Sequence, residues 1–130
     1  MTDRTTPFTF ETPATNKTRT YTKRKHRAGP GVRLRNALTA LANGHGHIER
    51  HHEKAWASIT FVGARHTMRL VFDGADAVAA GEIFLVDLPD HEFTLPGQLV
   101  ADATISSVEH RMLPEPHMVV DCEILVLDDE

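Results

Sequence analysis

Cysteine is nearly absent from this chain. Cys122 is the only one among 130 residues, and a lone cysteine cannot build an internal disulfide framework. Nothing in that usage points to an oxidising compartment. Aromatic residues are sparse at 6%, with one tryptophan and one tyrosine. Long apolar runs are missing too. No stretch approaches the ~18 apolar residues that a membrane helix needs. The opening "MTDRTTPFTFETPATNK" holds no apolar run of the signal-peptide kind. These absences set a cytoplasmic, soluble protein as the expectation. There is also no nucleophile elbow, phosphate-cradling glycine loop or dinucleotide fingerprint. The "GPG" at Gly29–Gly31 lacks the preceding strand that a phosphate loop needs.

What is present is ordinary in amount and unusual in arrangement. Apolar residues make up 41% and charged residues 25%, the usage of a globular domain. The net charge of −4 hides a division. Residues 1–54 hold eleven Lys/Arg against four Asp/Glu, and residues 55–130 hold three against fourteen. A positive surplus of seven therefore precedes a negative surplus of eleven. The pattern reads as a basic arm on an acidic body.

Residues 1–28 are expected to be a disordered arm. Threonine fills nine of the first 22 positions. So little aliphatic surface cannot offset the conformational entropy of ordering. Residues 29–130 are expected to form a single α+β domain. Gly29-Pro30 suits a helix start. Leu34, Ala37, Leu38 and Leu41 recur at helical spacing, and Asn43-Gly44 is a stop signal. From Ala55 the period changes to two. "AWASITFVGARHTMRLVF" predicts a hairpin turning at Gly63-Ala64. That register sets Ile59 opposite Met68, Ala57 opposite Leu70 and Phe61 opposite His66. Trp56, Arg65, Thr67 and Arg69 then fall on the other, wetter face.

A second helix is expected over about Gly74 to Val86, capped by Asp73 with Asp76 three residues on. Its buried stripe would be Val78, Phe84, Leu85 and Leu88, with Gly81 allowing close approach to the sheet. A second hairpin follows, from Leu99 to Met112 and from His117 to Leu127. A four-residue loop, Leu113 to Pro116, would pair Ile105 with Ile124, Ala103 with Val126 and Ser107 with Cys122. The order is α-β-β-α-β-β. It implies an antiparallel four-stranded sheet from two β-hairpins, with helices packed on one side.

Three features carry candidate chemistry. The first is the basic run "NKTRTYTKRKHR". Lys17, Arg19, Lys23, Arg24, Lys25 and Arg27 would contact an anionic partner, nucleic acid or an acidic protein, in a salt-dependent way. Tyr21 could stack on a base. Arg33 and Arg35 extend this set into the first helical turn, the unfavourable end for cations. The second is "GHGHIERHHEK". His45, His47, His51 and His52 are candidate zinc ligands, and His47 and His51 would share a face if helical. A solvated connector and a pH-responsive cluster are the competing readings. The third is the wet face of the first hairpin around Trp56, Arg65 and Arg69, against which stands simple packing of Trp56. Asp102, His110 and Asp121 are the one carboxylate–histidine grouping expected on a shared face, without a nucleophile.

The expectation is a non-enzymatic binding or adaptor module whose basic arm meets an anionic macromolecule. A metal-binding protein or small enzyme using the histidine run is the alternative. A structural subunit of a homo-oligomer, such as a homodimer paired through exposed sheet edges, is the third reading.

Overall fold

The computed structural model describes residues 29–129. The expected arm at residues 1–28 lies outside them. The element order is that read from the sequence: α1 (Pro30–Leu41), β1 (His47–Ala57), β2 (Val62–Asp73), α2 (Ala75–Asp87), a short 3-10 turn (Leu88–Asp90), β3 (Gln98–Arg111) and β4 (His117–Asp128). All four strands form one antiparallel sheet in the order β1-β2-β4-β3. The two hairpins are thus joined through β2 and β4, leaving β1 and β3 as edges.

Both helices cover one face. Leu34 and Leu38 of α1 and Val78 and Phe84 of α2 share one core with Met68, Leu70, Phe72, Met118, Val120, Cys122, Ile124 and Val126. Every strand residue in that set has even parity, as period-two strands with one buried side require. Helix α1 starts at Pro30 behind Gly29 and stops where Asn43 and Gly44 take positive φ. Helix α2 lies on β2 and β4. Gly81 makes that approach possible: a Cβ there would sit 3.0 Å from both Met118 Sδ and the Phe72 ring. Asp73 does not cap α2. It ends β2 and bonds His117 Nδ1 at 3.0 Å, while Gly74, at φ 98, holds the N-cap with no side-chain cap.

The hairpin registers differ from the sequence reading. In the first hairpin the chain turns over Ser58–Phe61, where the Ser58 N–H donates to the Phe61 carbonyl, and Ala57 faces Val62. Gly63-Ala64 is not the turn. Gly63 lies within β2, and a Cβ there would collide with the Val126 carbonyl. Ile59 and Phe61, expected inside, are in the loop at 73% and 47% exposure. The predicted connector is strand from His47 to Lys54, and β1 continues through Ala55 to Ala57, where a strand was expected. In the second hairpin Arg111 pairs with His117, Ser107 with Asp121, Ile105 with Cys122 and Ala103 with Ile124. Irregularities at Ala101 and Ser106 shift the ladder stepwise. Each such bulge adds one unpaired residue and resets which side chains face inward.

Candidate anion-binding face and buried histidine pair

The face of the sheet away from the helices is divided by charge. On its β1–β2 half, Arg50 stands directly opposite Arg69, His52 opposite Thr67, Lys54 opposite Arg65 and Trp56 opposite Gly63. Two cation pairs in direct cross-strand register destabilise a hairpin. Arg69 is partly relieved. Its Nε donates to Asp121 Oδ1 at 2.8 Å and its Nη2 to Oδ2 at 3.1 Å, a two-pronged bond across β2 and β4. Glu49 lies 3.9 Å from the same guanidinium. Ser107 Oγ donates to Asp121 Oδ2 at 3.2 Å. Arg69, then Ser107, hold the Asp121 carboxyl below the usual carboxylate range against the opposing effect of its partial burial. The β4–β3 half carries Asp102, Thr104, Ser107, Glu109, Asp121 and Glu123 in matching register, with Arg111 at its end. One half is therefore mainly basic, with an aromatic residue at its end, and the other mainly acidic.

The helix-side face of the first hairpin is unusual in another way. His51, Glu53 and His66 occupy inward positions of the β1–β2 ladder, and His66 and Glu53 are buried. Arg35 Nη1, which can only donate, lies 3.2 Å from His51 Nδ1. That contact makes Nδ1 an acceptor and puts the ring proton on Nε2. His51 Nε2 lies 2.9 Å from His66 Nδ1 and donates to it. Arg35, His51 and His66 thus form a directed chain tying α1 to both strands. Burial first, then the charges of Arg35 and His52, bring the His51 pKa from 6.5 down to about 4. His51 is accordingly neutral near pH 7, as the chain of donors requires.

The structure places the sequence-derived candidates as follows. Lys17, Arg19, Tyr21, Lys23, Arg24, Lys25 and Arg27 lie outside the described residues. Arg33 and Arg35 are half-buried on α1, and Arg35 is engaged with His51. The four histidines do not share a helix face, because three of them lie on β1. His45 is in the turn before it; His47 and His52 pair with outward Val71 and Thr67, whereas His51 pairs with inward Met68. Among the described residues no three His, Cys, Asp or Glu groups are arranged to hold a metal ion. The Asp102, His110 and Asp121 grouping does not form either. His110 stands opposite inward Met118, and Asp121 is committed to Arg69 and Ser107. Cys122 is fully buried, and that burial pushes its thiol up to about 12, which leaves it unreactive.

Sequence reasoning missed the Arg35–His51–His66 chain. Two things hide it: the irregularity at Glu49 breaks the period-two alternation, and the inward residues beyond it, His51 and Glu53, are polar. No helix among the described residues is long and apolar enough to cross a membrane. Comparison with protein-family models, curated proteins and solved structures finds no match for this chain.

Proposed function

We propose that this protein is a non-enzymatic binding module for an anionic macromolecule, and that the outer face of the β1–β2 hairpin is part of its contact surface. One observation carries the reading. Arg50 and Arg69, and Lys54 and Arg65, are set directly opposite each other beside Trp56. Such opposition weakens the hairpin by a few tenths to about 1 kcal/mol per pair. A polyanion laid across the face converts that repulsion into attraction. The positive surplus of residues 1–54 adds long-range steering toward the same partner. The preferred polyanion is single-stranded nucleic acid, because Trp56 at the end of a cationic strand pair offers a base a stacking surface. An acidic protein surface would use the same cations without the stacking. The expected location is the cytoplasm, on composition.

The test is fluorescence anisotropy with labelled single-stranded DNA and RNA at about 50 mM salt, repeated as salt rises. Binding should weaken linearly on a log–log plot, with a slope that falls by about one unit for each lost phosphate contact. Lys54→Ala should lower that slope, and Trp56 emission should be quenched on binding. Poly-glutamate that binds as well as nucleic acid, with Trp56 emission unchanged, favours an acidic protein. No binding of either polyanion near 50 mM salt removes the proposal.

A further inference from the structure

The free edge of β3 is complementary to itself. β3 runs from Gln98 to Arg111 and is hydrogen-bonded to β4 alone. It contains neither lysine nor proline, the residues that commonly guard a sheet edge. Its second half, Ser106–Arg111, is exposed on every residue. Val108, Met112 and Leu113 are left at 41%, 59% and 77% exposure. β1, the other edge, is different: "HIERHHEKAWA" places a charged or histidine residue at most positions.

We propose that two copies of this chain pair antiparallel through β3, about a two-fold axis between Ser106 and Ser107. This inference goes beyond the anion-binding reading and uses none of its residues. In that register Asp102 meets the partner's Arg111, Thr104 meets the partner's Glu109, and Ile105 meets the partner's Val108. Each pairing occurs twice. The Asp102–Arg111 contacts join opposite charges on the outer face, and the Ile105–Val108 contacts join apolar residues on the helix side.

The irregularity at Ser106 is what allows this register. Residues opposed across an antiparallel pair must point to the same face. In a regular strand, positions whose numbers differ by an odd amount point to opposite faces. Here Ile105 pairs with Cys122 and Ser107 with Asp121, so the extra residue brings Ile105 and Val108 to one side and Asp102, Thr104, Glu109 and Arg111 to the other. The neighbouring register with the same facing, reached by moving the axis one residue toward Gln98, sets Asp102 against the partner's Glu109. Two like-charge oppositions count against it. The resulting assembly is a continuous eight-stranded sheet with β3 and its copy at the centre. Its paired ribbon, Asp102 to Arg111, is roughly 34 Å long at the usual strand rise. The double line of backbone hydrogen bonds removes the longest open edge of the monomer.

The test is sedimentation equilibrium on the full chain from about 1 to 500 µM, with three charge variants. The wild-type chain should be a dimer in this range. Asp102→Arg or Arg111→Asp alone places two like-charge pairs in the interface and should raise the dimer Kd by about ten- to a hundredfold. The combined D102R/R111D exchange restores both pairs with reversed polarity and should return Kd to within a few-fold of wild type. All three positions changed are exposed, and matching far-ultraviolet circular dichroism confirms folding. Val108→Lys serves as an independent check and should also dissociate the dimer. A wild-type chain that stays monomeric throughout overturns the proposal. So does a dimer indifferent to the single exchanges, or single-exchange losses that the combined exchange fails to reverse in folded protein.

Discussion

The two hairpins of the sheet solve the same problem with different chemistry. In β3–β4 the inward positions of the central strand are Met118, Val120, Cys122, Ile124 and Val126, all buried and apolar. In β1–β2 the edge strand turns Ile48, His51 and Glu53 inward, against Leu70, Met68 and His66. The second hairpin is held by burial, a non-directional force roughly proportional to area. The first is held at its edge by directed bonds from Arg35 to His51 to His66. Apolar burial tolerates a small slip of register, since one methyl-bearing side chain can replace another. A donor–acceptor chain does not, because each member has a fixed role. The second hairpin carries two irregularities along β3; the first carries one, at Glu49, and pairs regularly from Arg50 to Ala57 around the bonded histidines.

The largest expected effect tests the apolar side of this contrast. Ile124 is fully buried at the centre of the sheet. Ile124→Ala should lower unfolding free energy by about 2–5 kcal/mol, from lost transfer energy and the cavity left behind. Urea denaturation with an unchanged slope is the measurement. A loss below about 1 kcal/mol would mean that the core is loosely packed around β4.

The next effect belongs to the polar side and depends on pH. His51 has a pKa of about 4 in the folded chain against the ordinary 6.5, through burial and then Arg35 and His52. Its folded value is depressed, so an unfolded chain takes up the proton first as pH falls. The stability tied to neutral His51 is complete above about pH 6.5 and is lost as pH drops toward 4. After allowance for solvent screening the loss is on the order of 1–2 kcal/mol. His51→Gln keeps an acceptor and a donor but cannot titrate. The wild-type chain should lose more stability than H51Q between pH 7 and pH 4.5, and equal losses would show that His51 is not the titrating group.

The same contrast explains what the sequence could reveal. The helix over Pro30–Leu41 is legible because Leu34 and Leu38 repeat at helical spacing between a proline start and an Asn-Gly stop. The alternation of β2 and β4 is legible because His66, Met68, Leu70 and Phe72 on one strand, and Met118, Val120, Cys122, Ile124 and Val126 on the other, recur at every second position with Thr67, Arg69, Asp121 and Glu123 between them. β1 is illegible because two of its inward residues, His51 and Glu53, are polar, and the partner that accounts for His51 is a guanidinium sixteen positions earlier in the chain. With His47–Lys54 as a connector and the strand starting at Ala55, Ile59 and Phe61 become the nearest apolar partners for β2, and the turn falls at Gly63-Ala64. The pairing error preserved parity. Trp56, Arg65 and Arg69 were therefore assigned to the correct outer face while their neighbours were wrong. The opposed cations of the candidate binding face emerge only with the true register.

Asp121 gives a smaller effect, and its sign is that of a carboxyl with a depressed pKa. Its bonds from Arg69 and Ser107 favour the charged form. The contribution is present above the ordinary carboxylate range and disappears as pH falls through the lower folded value. Asp121→Asn at pH 7 should cost no more than about 1 kcal/mol, because the pair is only partly buried and water screens it. The same change leaves Arg69 facing Arg50 with less compensation, so polyanion affinity should rise. Unchanged affinity would place the contact surface away from Arg69.

The smallest change in stability carries the sharpest distinction between the hairpins. Lys54 and Arg65 face each other on the outer surface, a like-charge cross-strand pair. Replacing Lys54 with Glu turns repulsion into attraction across one rung. Unfolding free energy should rise by a few tenths to about 1 kcal/mol. Polyanion affinity should fall at the same time, with a shallower salt dependence. A gain in stability with a loss in binding is the mark of a surface whose charges are set by a partner rather than by the fold. The equivalent reversal at Thr104→Lys, opposite Glu123 on the acidic half, should also add a few tenths of a kcal/mol. It should leave polyanion binding intact or slightly tighter. If K54E gains stability and binds as before, the opposed cations of β1 and β2 are merely tolerated, and the anion-binding face lies elsewhere on the chain.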